Sequence, residues 1–318
     1  MRVLVSGGAG FVGSNLAERL LAEDCEVTAL DNFSRGSMEN LLPCMSRSGF
    51  RLVREDLLHL EALEPHFRGQ DAVFHLAANS DILDGIRHTD TDLRLGTLAT
   101  YNVLEAMRRA GVRQIVFSSS SVVYGEPRVI PTPEDYGPLW PISLYGASKL
   151  ACEGLISAFS HNFGLQAWVF RFANICGPHG THGVLTDFIH KLQTDSRRLE
   201  ILGDGEQAKP YLHVSECVDG MLYGWRNSRE ALNCFNLGCE GATHARRIAE
   251  FVLEAMGLPE AEFTFTGGRR GWPGDVTQVR LDCSRLEQLG WKAKLTSDAA
   301  VRRAAGELVE ELACKQSS

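Results

Sequence analysis

The chain has 318 residues, 44% of them hydrophobic and 23% charged, which is enough to bury a sizeable core in one large domain or two modest ones. Its 40 acidic and 32 basic residues leave a net charge of −8, which argues against a nucleic-acid surface because phosphate backbones require clustered Lys and Arg. No apolar run approaches the roughly 20 residues that span a bilayer. The opening Met1-Arg2-Val3-Leu4-Val5-Ser6 reads as a buried strand rather than a signal peptide. Nine cysteines are scattered without a CxxC pair, as small core residues in a reducing compartment would be, so a cytoplasmic location is expected.

In chain order, strands are expected over residues 3–6, 26–31, 51–56, 72–77, 114–119 and 167–172. Helical periodicity lies between most of them, as over 15–22 and 98–109. Short apolar strands separated by helices imply an α/β fold with a doubly wound parallel sheet. After Asn174 the pattern changes. Turn formers become dense, in Gly177-Pro178-His179-Gly180, Gly203-Asp204-Gly205, Gly267-Gly268 and Gly271-Trp272-Pro273-Gly274, and a helix is expected over 245–256. The expected organisation is a first domain over 1–174, a smaller C-terminal lobe over 175–318, and an interleaved return of 211–238 to the first.

Gly7, Gly10 and Gly13 follow the first strand and open the first helix, in Gly7-Gly8-Ala9-Gly10-Phe11-Val12-Gly13. Glycine permits the tight turn and lets backbone N–H groups approach a pyrophosphate at the positive end of a helix. Three glycines alone are weak, but the strand–turn–helix context is the one a Rossmann dinucleotide site requires. Asp31 ends the second strand about 20 residues on, where a carboxylate binds the adenosine ribose diol and favours NAD over NADP. Arg35 reads equally as a solvated loop cation. Asp56 suits either the adenine amino group or the N-cap of a helix over 57–63.

Tyr145 and Lys149 stand at i, i+4 on a helical stretch over 145–163, which puts both side chains on one face. A phenol titrates near 10 and is a poor base at neutral pH. A nearby ammonium and a positively charged nicotinamide would both stabilise its phenolate. Tyr145 would then take a hydroxyl proton while the carbon gives hydride to NAD. YxxxK alone also fits an ordinary amphipathic helix. Its place after a fifth strand ending in Phe117-Ser118-Ser119-Ser120-Ser121 favours chemistry, because ligands bind at the carboxyl edge of such sheets. Ser120 is the candidate hydroxyl that orients substrate, the other serines being structural or bound to cofactor.

The residues at this point resemble the extended short-chain dehydrogenase/reductase family, in its NAD-dependent sugar-nucleotide epimerase/dehydratase branch, over nearly the whole chain. The resemblance rests on GGAGFVGSNL (7–16), the Asp31-Asn32 strand end, HLAA (75–78), FSSSSVVYG (117–125), YGASK (145–149), RFANICGP (171–178), LGDG (202–205) and GWPGDV (271–276). It implies that NAD stays bound, takes hydride from sugar C4 and returns it to the opposite face of a 4-keto intermediate. It further implies cofactor contacts from Phe11, Val12, Asn32, Ser34, Gly36, Leu57, Leu76, Ala77, Ala78, Ser118, Tyr145 and Lys149, besides the residues already read. Substrate contacts are implied for Ser80, Ser120, Tyr145, Asn174, Lys209 and Arg270, and the assembly is expected to be a homodimer through the helices around 98–109 and 145–163.

The 4,6-dehydratases that this chain resembles carry an acidic pair just before the VYG element, where Ser121 and Val122 stand here, and related decarboxylases often keep a glutamate at the second position. A 4-epimerase is therefore expected, with a 4-dehydrogenase or ketoreductase as the alternative enzyme and a dinucleotide-sensing regulator as the non-enzymatic one. The chain departs from the family at Gly96, where an asparagine is usual, and at Lys209, where arginine would give a bidentate fork. His179 and His182 have no carboxylate or cysteine cluster beside them, so no metal is expected.

Overall fold

A computed structural model describes residues 1–79, 81–268 and 279–316. The first six strands are β1 (Arg2–Ser6), β2 (Glu26–Asp31), β3 (Phe50–Arg54), β4 (Ala72–His75), β5 (Gln114–Ser120) and β6 (Gln166–Phe172). All but β3 are buried almost throughout, as strands covered on both faces must be. They join Leu232–Leu237 in a seven-stranded parallel sheet, in the order β3-β2-β1-β4-β5-β6 and then Leu232–Leu237. The half-exposed β3 is an edge. The chain reverses its direction of travel across the sheet between β1 and β4, which opens a crevice at their carboxyl ends where doubly wound folds bind ligands.

The accompanying helices are α1 (Phe11–Ala22), α2 (Leu42–Met45), α3 (Leu60–Phe67), α4 (Ile82–Arg87), α5 (Ala99–Ala110) and α6 (Leu144–Phe163). Left-handed glycines, Gly111 and Gly164, stop α5 and α6. The Ser143 side chain caps α6 by accepting the Gly146 N–H at 3.0 Å. Three boundaries differ from the sequence expectation. α1 starts at Phe11 and takes in Gly13, because the glycine turn hides the first helical residues from an apolar count. A π-helical turn, Leu93–Leu98, runs directly into α5. The helix after β3 starts at Leu60, and Asp56 caps a tight turn instead, its Oδ1 accepting the Leu58 N–H at 2.8 Å.

Leu4, Val73, Ile115, Phe117, Val103, Met107 and Ile156 belong to one buried apolar cluster formed by the sheet with α5 and α6. Each such side chain contributes about 1.5–3 kcal/mol by leaving water. A polar thread runs through this layer. Ser6 Oγ lies 2.7 Å from His75 Nδ1, His75 Nε2 lies 2.9 Å from Thr100 Oγ1, and Thr100 Oγ1 lies 3.1 Å from Cys152 Sγ. A buried ion pair locks α6 to the sheet: Arg171 makes two charge-assisted bonds to Glu153, at 3.0 and 2.7 Å, and donates to the Tyr124 hydroxyl at 3.0 Å.

The chain divides into two compact units. The first comprises Met1–Gly125, Pro138–Arg171 and Met221–Phe235, and the second Glu126–Gly137, Phe172–Gly220 and Asn236–Ser318. The later strands are β7 (Asn174–Cys176), β8 (Arg198–Ile201), β9 (Ala208–Lys209), β10 (Tyr211–His213), β11 (Leu232–Leu237), β12 (Thr243–His244) and β13 (Glu262–Phe265). The later helices are α7 (Val184–Thr194), α8 (Val214–Asn227), α9 (Ala245–Met256), α10 (Ser284–Gln288) and α11 (Ser297–Gln316). The second unit has its own core, in which α9 packs on α7 and α11 through Phe188, Ile189, Phe251, Val252, Ala304 and Leu308.

His75 gives the fold a pH signature. Complete burial, helped by the Lys149 charge, pushes its imidazole down to about 3. The unfolded imidazole takes its proton near 6.5. Between those values the unfolded chain binds more protons, so this group's contribution is lost as pH falls from about 6.5 towards 3. Urea unfolding of wild type should therefore lose about 2 kcal/mol more stability than His75→Gln on moving from pH 7 to pH 4.5. Equal losses in the two proteins would remove His75 as the cause.

Candidate active site

The glycine turn leaves no room for a side chain at Gly7 or Gly13. Gly7 has φ +74°, and a Cβ there would stand 2.7 Å from the Ala77 backbone nitrogen. A Cβ on Gly13 would stand 2.0 Å from the Gly7 carbonyl oxygen. Gly10 is the N-cap of α1 with no side-chain cap, so the first N–H groups of a helix of 12 residues stay available to an anion. Phe11 and Val12 begin that helix, and Leu76, Ala77 and Ala78 follow β4 across from the turn.

Asp31 braces the turn. Its Oδ2 accepts the Ala9 N–H at 2.9 Å and its Oδ1 accepts the Phe33 N–H at 2.8 Å. Burial raises its pKa, and those two backbone bonds oppose the rise. Asn32 Nδ2 donates to Asp56 Oδ2 at 3.1 Å, and Asn32 Oδ1 accepts the Ser34 N–H at 2.9 Å. A Cβ on Gly36 would press on Ala9 at 2.8 Å. The Leu57 carbonyl accepts from Asn102 at 2.8 Å. Arg35 turns towards α4, pairing with Asp84 at 2.9 Å and reaching Asn79 at 3.5 Å.

The three proposed catalytic side chains come together where β5 meets α6. Ser120 ends β5, and its hydroxyl accepts the Val122 N–H at 3.4 Å. The Ser120 hydroxyl also favours the Tyr145 phenolate. Burial nevertheless holds the phenol above its ordinary value, with the Asp92 charge and the Cys152 thiol adding to the rise. The lysine by itself therefore does not supply the lowering that the sequence leads one to expect. Lys149 is 3% exposed. Its Nζ donates to the Ser118 carbonyl at 2.6 Å and stands 4.7 Å from the Phe117 ring centroid and 5.7 Å from that of Tyr145. Burial pushes this ammonium down to about 8, against the opposing pull of the Glu153 and Asp92 carboxylates. Ser121 and Val122 lie in the 3-10 turn that follows, and neither can act as an acid.

Residues 3–238 match the model of the NAD dependent epimerase/dehydratase family. The chain belongs to that family. It is thus an NAD-dependent enzyme of the epimerase class. A UDP-glucose 4-epimerase of Mycolicibacterium smegmatis is 34% identical, over 93% of this chain and 94% of its own. A UDP-glucuronic acid decarboxylase of Arabidopsis thaliana is 30% identical over 93% of this chain and 67% of its own. Among solved structures, a UDP-galactose 4-epimerase superposes with a TM-score of 0.88 at 36% identity, covering 98% of this chain and all of that one.

The remaining sequence expectations fall as follows. Asn174, on β7, is in register with Tyr211, and Lys209 on β9 is in register with Thr243, all within the second unit. Ser80 and Arg270, and the GWPGDV element over 271–276, lie outside the described residues. Gly96 has a packing reason. A Cβ there would stand 2.1 Å from the Ser148 Oγ, which bonds the Asp92 carbonyl at 2.7 Å and Thr97 Oγ1 at 3.0 Å. Sequence reading missed Asn79 and Asp92. Both are nearly fully buried, 1% and 2% exposed, yet Asp92 lies in a run of polar residues, Thr89-Asp90-Thr91-Asp92, that reads as solvated surface.

The cradle can be tested separately from the fold. A Cβ on Gly10 meets only the Gly7 oxygen, at 3.2 Å, and would project in the turn that the sequence leads one to expect at a pyrophosphate. Gly10→Ala should unfold within a few degrees of wild type while its affinity for NAD, read by calorimetry, falls about tenfold or more, or about 1.4 kcal/mol. Unchanged affinity would place the pyrophosphate elsewhere.

Proposed function

We propose that the protein is a nucleotide-sugar 4-epimerase of the UDP-glucose/UDP-galactose type. The observation that carries the reading is the meeting of Ser120, Tyr145 and Lys149 at the end of β5, with Ser121 and Val122 in place of any acid. NAD, held by the glycine turn and Asp31, would accept a hydride from sugar C4 and give it back. Tyr145 receives the C4 hydroxyl proton, with Ser120 as the hydroxyl that orients the substrate, and returns it when the 4-ketone is reduced on its opposite face. Lys149 would contribute a positive charge that favours the phenolate and would bind a ribose hydroxyl of the cofactor. With no acid at positions 121 and 122, nothing there drives the elimination of water, which disfavours a dehydratase. The decarboxylase relatives are disfavoured by Val122, where they often keep a glutamate.

Asn174, Lys209, Ser80 and Arg270 are proposed to bind the substrate, the first two through its diphosphate. Lys209 supplies charge without the bidentate geometry of arginine. Large apolar side chains on or beside α5 and α6 are exposed (Leu98 45%, Tyr101 41%, Phe163 48%), which supports a homodimer through these helices. All nine cysteines are thiols, in keeping with a reducing cytoplasm. Among the described residues no helix is long and apolar enough to cross a membrane.

Tyr145→Phe should lower kcat for interconversion of UDP-glucose and UDP-galactose by about 10²–10⁴-fold while NAD binding is retained. Wild type should release no free NADH during turnover. Stoichiometric NADH release would instead support a 4-dehydrogenase. Sedimentation should give a species of twice the chain mass at micromolar concentration, and a monomer there would refute the dimer.

A further inference from the structure

Lys149 is a buried cation that donates a hydrogen bond to a neutral carbonyl, that of Ser118. A charge taken out of water needs an opposite charge nearby. The carboxylates around it are not equally available. Glu153, the next acid along α6, is taken up by two bonds from Arg171 and a third, at 2.5 Å, from the Ser119 hydroxyl. Asp84 is taken up by Arg35 at 2.9 Å. Asp92 is left. Its side chain is buried, and among the described residues Oδ1 accepts the neutral amide of Asn79 at 3.1 Å and Oδ2 finds no hydrogen-bond partner.

The surroundings of Asp92 are arranged to admit this carboxyl. Gly85 on α4 faces it so closely that a Cβ would stand 2.2 Å from Oδ2. Its backbone is fixed to the catalytic helix, because the Ser148 hydroxyl donates to the Asp92 carbonyl at 2.7 Å and Ser148 immediately precedes Lys149. We propose that Asp92 is a buried counter-charge of Lys149 beside Glu153, a positioning residue that helps to keep the lysine an ammonium at the pH of catalysis. The inference rests on the reading that Tyr145 and Lys149 form the reactive pair.

The groups that face this pair are few. Asp92 feels Lys149, Asp84 and Asp81, and Lys149 feels Cys152 and Glu153 as well as Asp92. His75 stays neutral beside the lysine, and the Cys152 thiol, raised by burial, carries no charge near neutral pH. Asp92 has a cost as well as a use, since its charge also makes the Tyr145 phenolate harder to form. Removing the carboxylate should lower the pH at which Lys149 loses its proton, because the charged form loses its attraction.

The chain has only six lysines, so their ε-carbons can be followed individually by NMR in protein with ¹³C-labelled lysine, with Lys149→Arg identifying the signal of interest. No substrate is needed. In wild type this signal should titrate near pH 8, and in Asp92→Asn about one pH unit lower. The alkaline limb of the kcat/KM profile should move down by the same amount. An unchanged or higher midpoint in Asp92→Asn would overturn the proposal, even if turnover falls. A lowered midpoint in a protein that does not interconvert the sugar nucleotides would leave it standing and sink the functional reading instead. Should Asp92→Asn fail to fold, Gly85→Ala displaces the same carboxyl without removing it, and the midpoint must again fall.

Discussion

A single buried ammonium constrains the active-site half of this molecule. Lys149 lies where α6 crosses the end of β5, and one of its N–H groups donates to the carbonyl of Ser118, near the end of the strand that Ser120 closes. An unpaired charge in that position would be expelled or neutralised. The side chains around it act against that outcome: the Glu153 and Asp92 carboxylates favour the charged form, and the histidine on β4, held neutral by its burial, adds no like charge. The spacing between Tyr145 and Lys149 then follows from helix geometry, since residues four apart share a face.

The same layer explains why the polar thread from Ser6 to Cys152 is tolerated inside an apolar core. Each of its groups meets another at hydrogen-bond distance, so burial leaves no member orphaned. The thread crosses β1, β4, α5 and α6, which are the elements that place the glycine turn and the catalytic helix. Stability and site geometry are thus set by the same contacts.

Much of this was legible in the sequence, and the reason is local. Strands buried on both faces announce themselves as apolar runs, and β2 falls on residues 26–31 as read. The glycine turn, Ser120, Tyr145 and Lys149 are carried by short motifs whose meaning depends on neighbours in the chain. What was not legible depends on neighbours in space. The pairing of Arg35 with Asp84 could not be read, because α4 supplies that acid from a distant part of the chain. Asp56 looked like a helix cap until the helix proved to begin at Leu60. Asp92 looked like surface because its segment is polar, and only the approach of α4 and α6 buries it.

Gly96 illustrates how a departure from a family pattern acquires a physical meaning. Read along the chain, it is a lost asparagine and a weakened cofactor site. In the structure it faces Ser148, whose hydroxyl occupies the space a side chain at 96 would take and uses that position to grip the Asp92 carbonyl. The π-helical turn Leu93–Leu98 brings Gly96 to that point, and a larger residue would force α6 away from it. The absent side chain therefore allows close packing of the two elements that hold Lys149 and Asp92. Restoring an asparagine at 96 would have to displace Ser148 first, so the change at one position cannot be judged apart from the hydroxyl at the other.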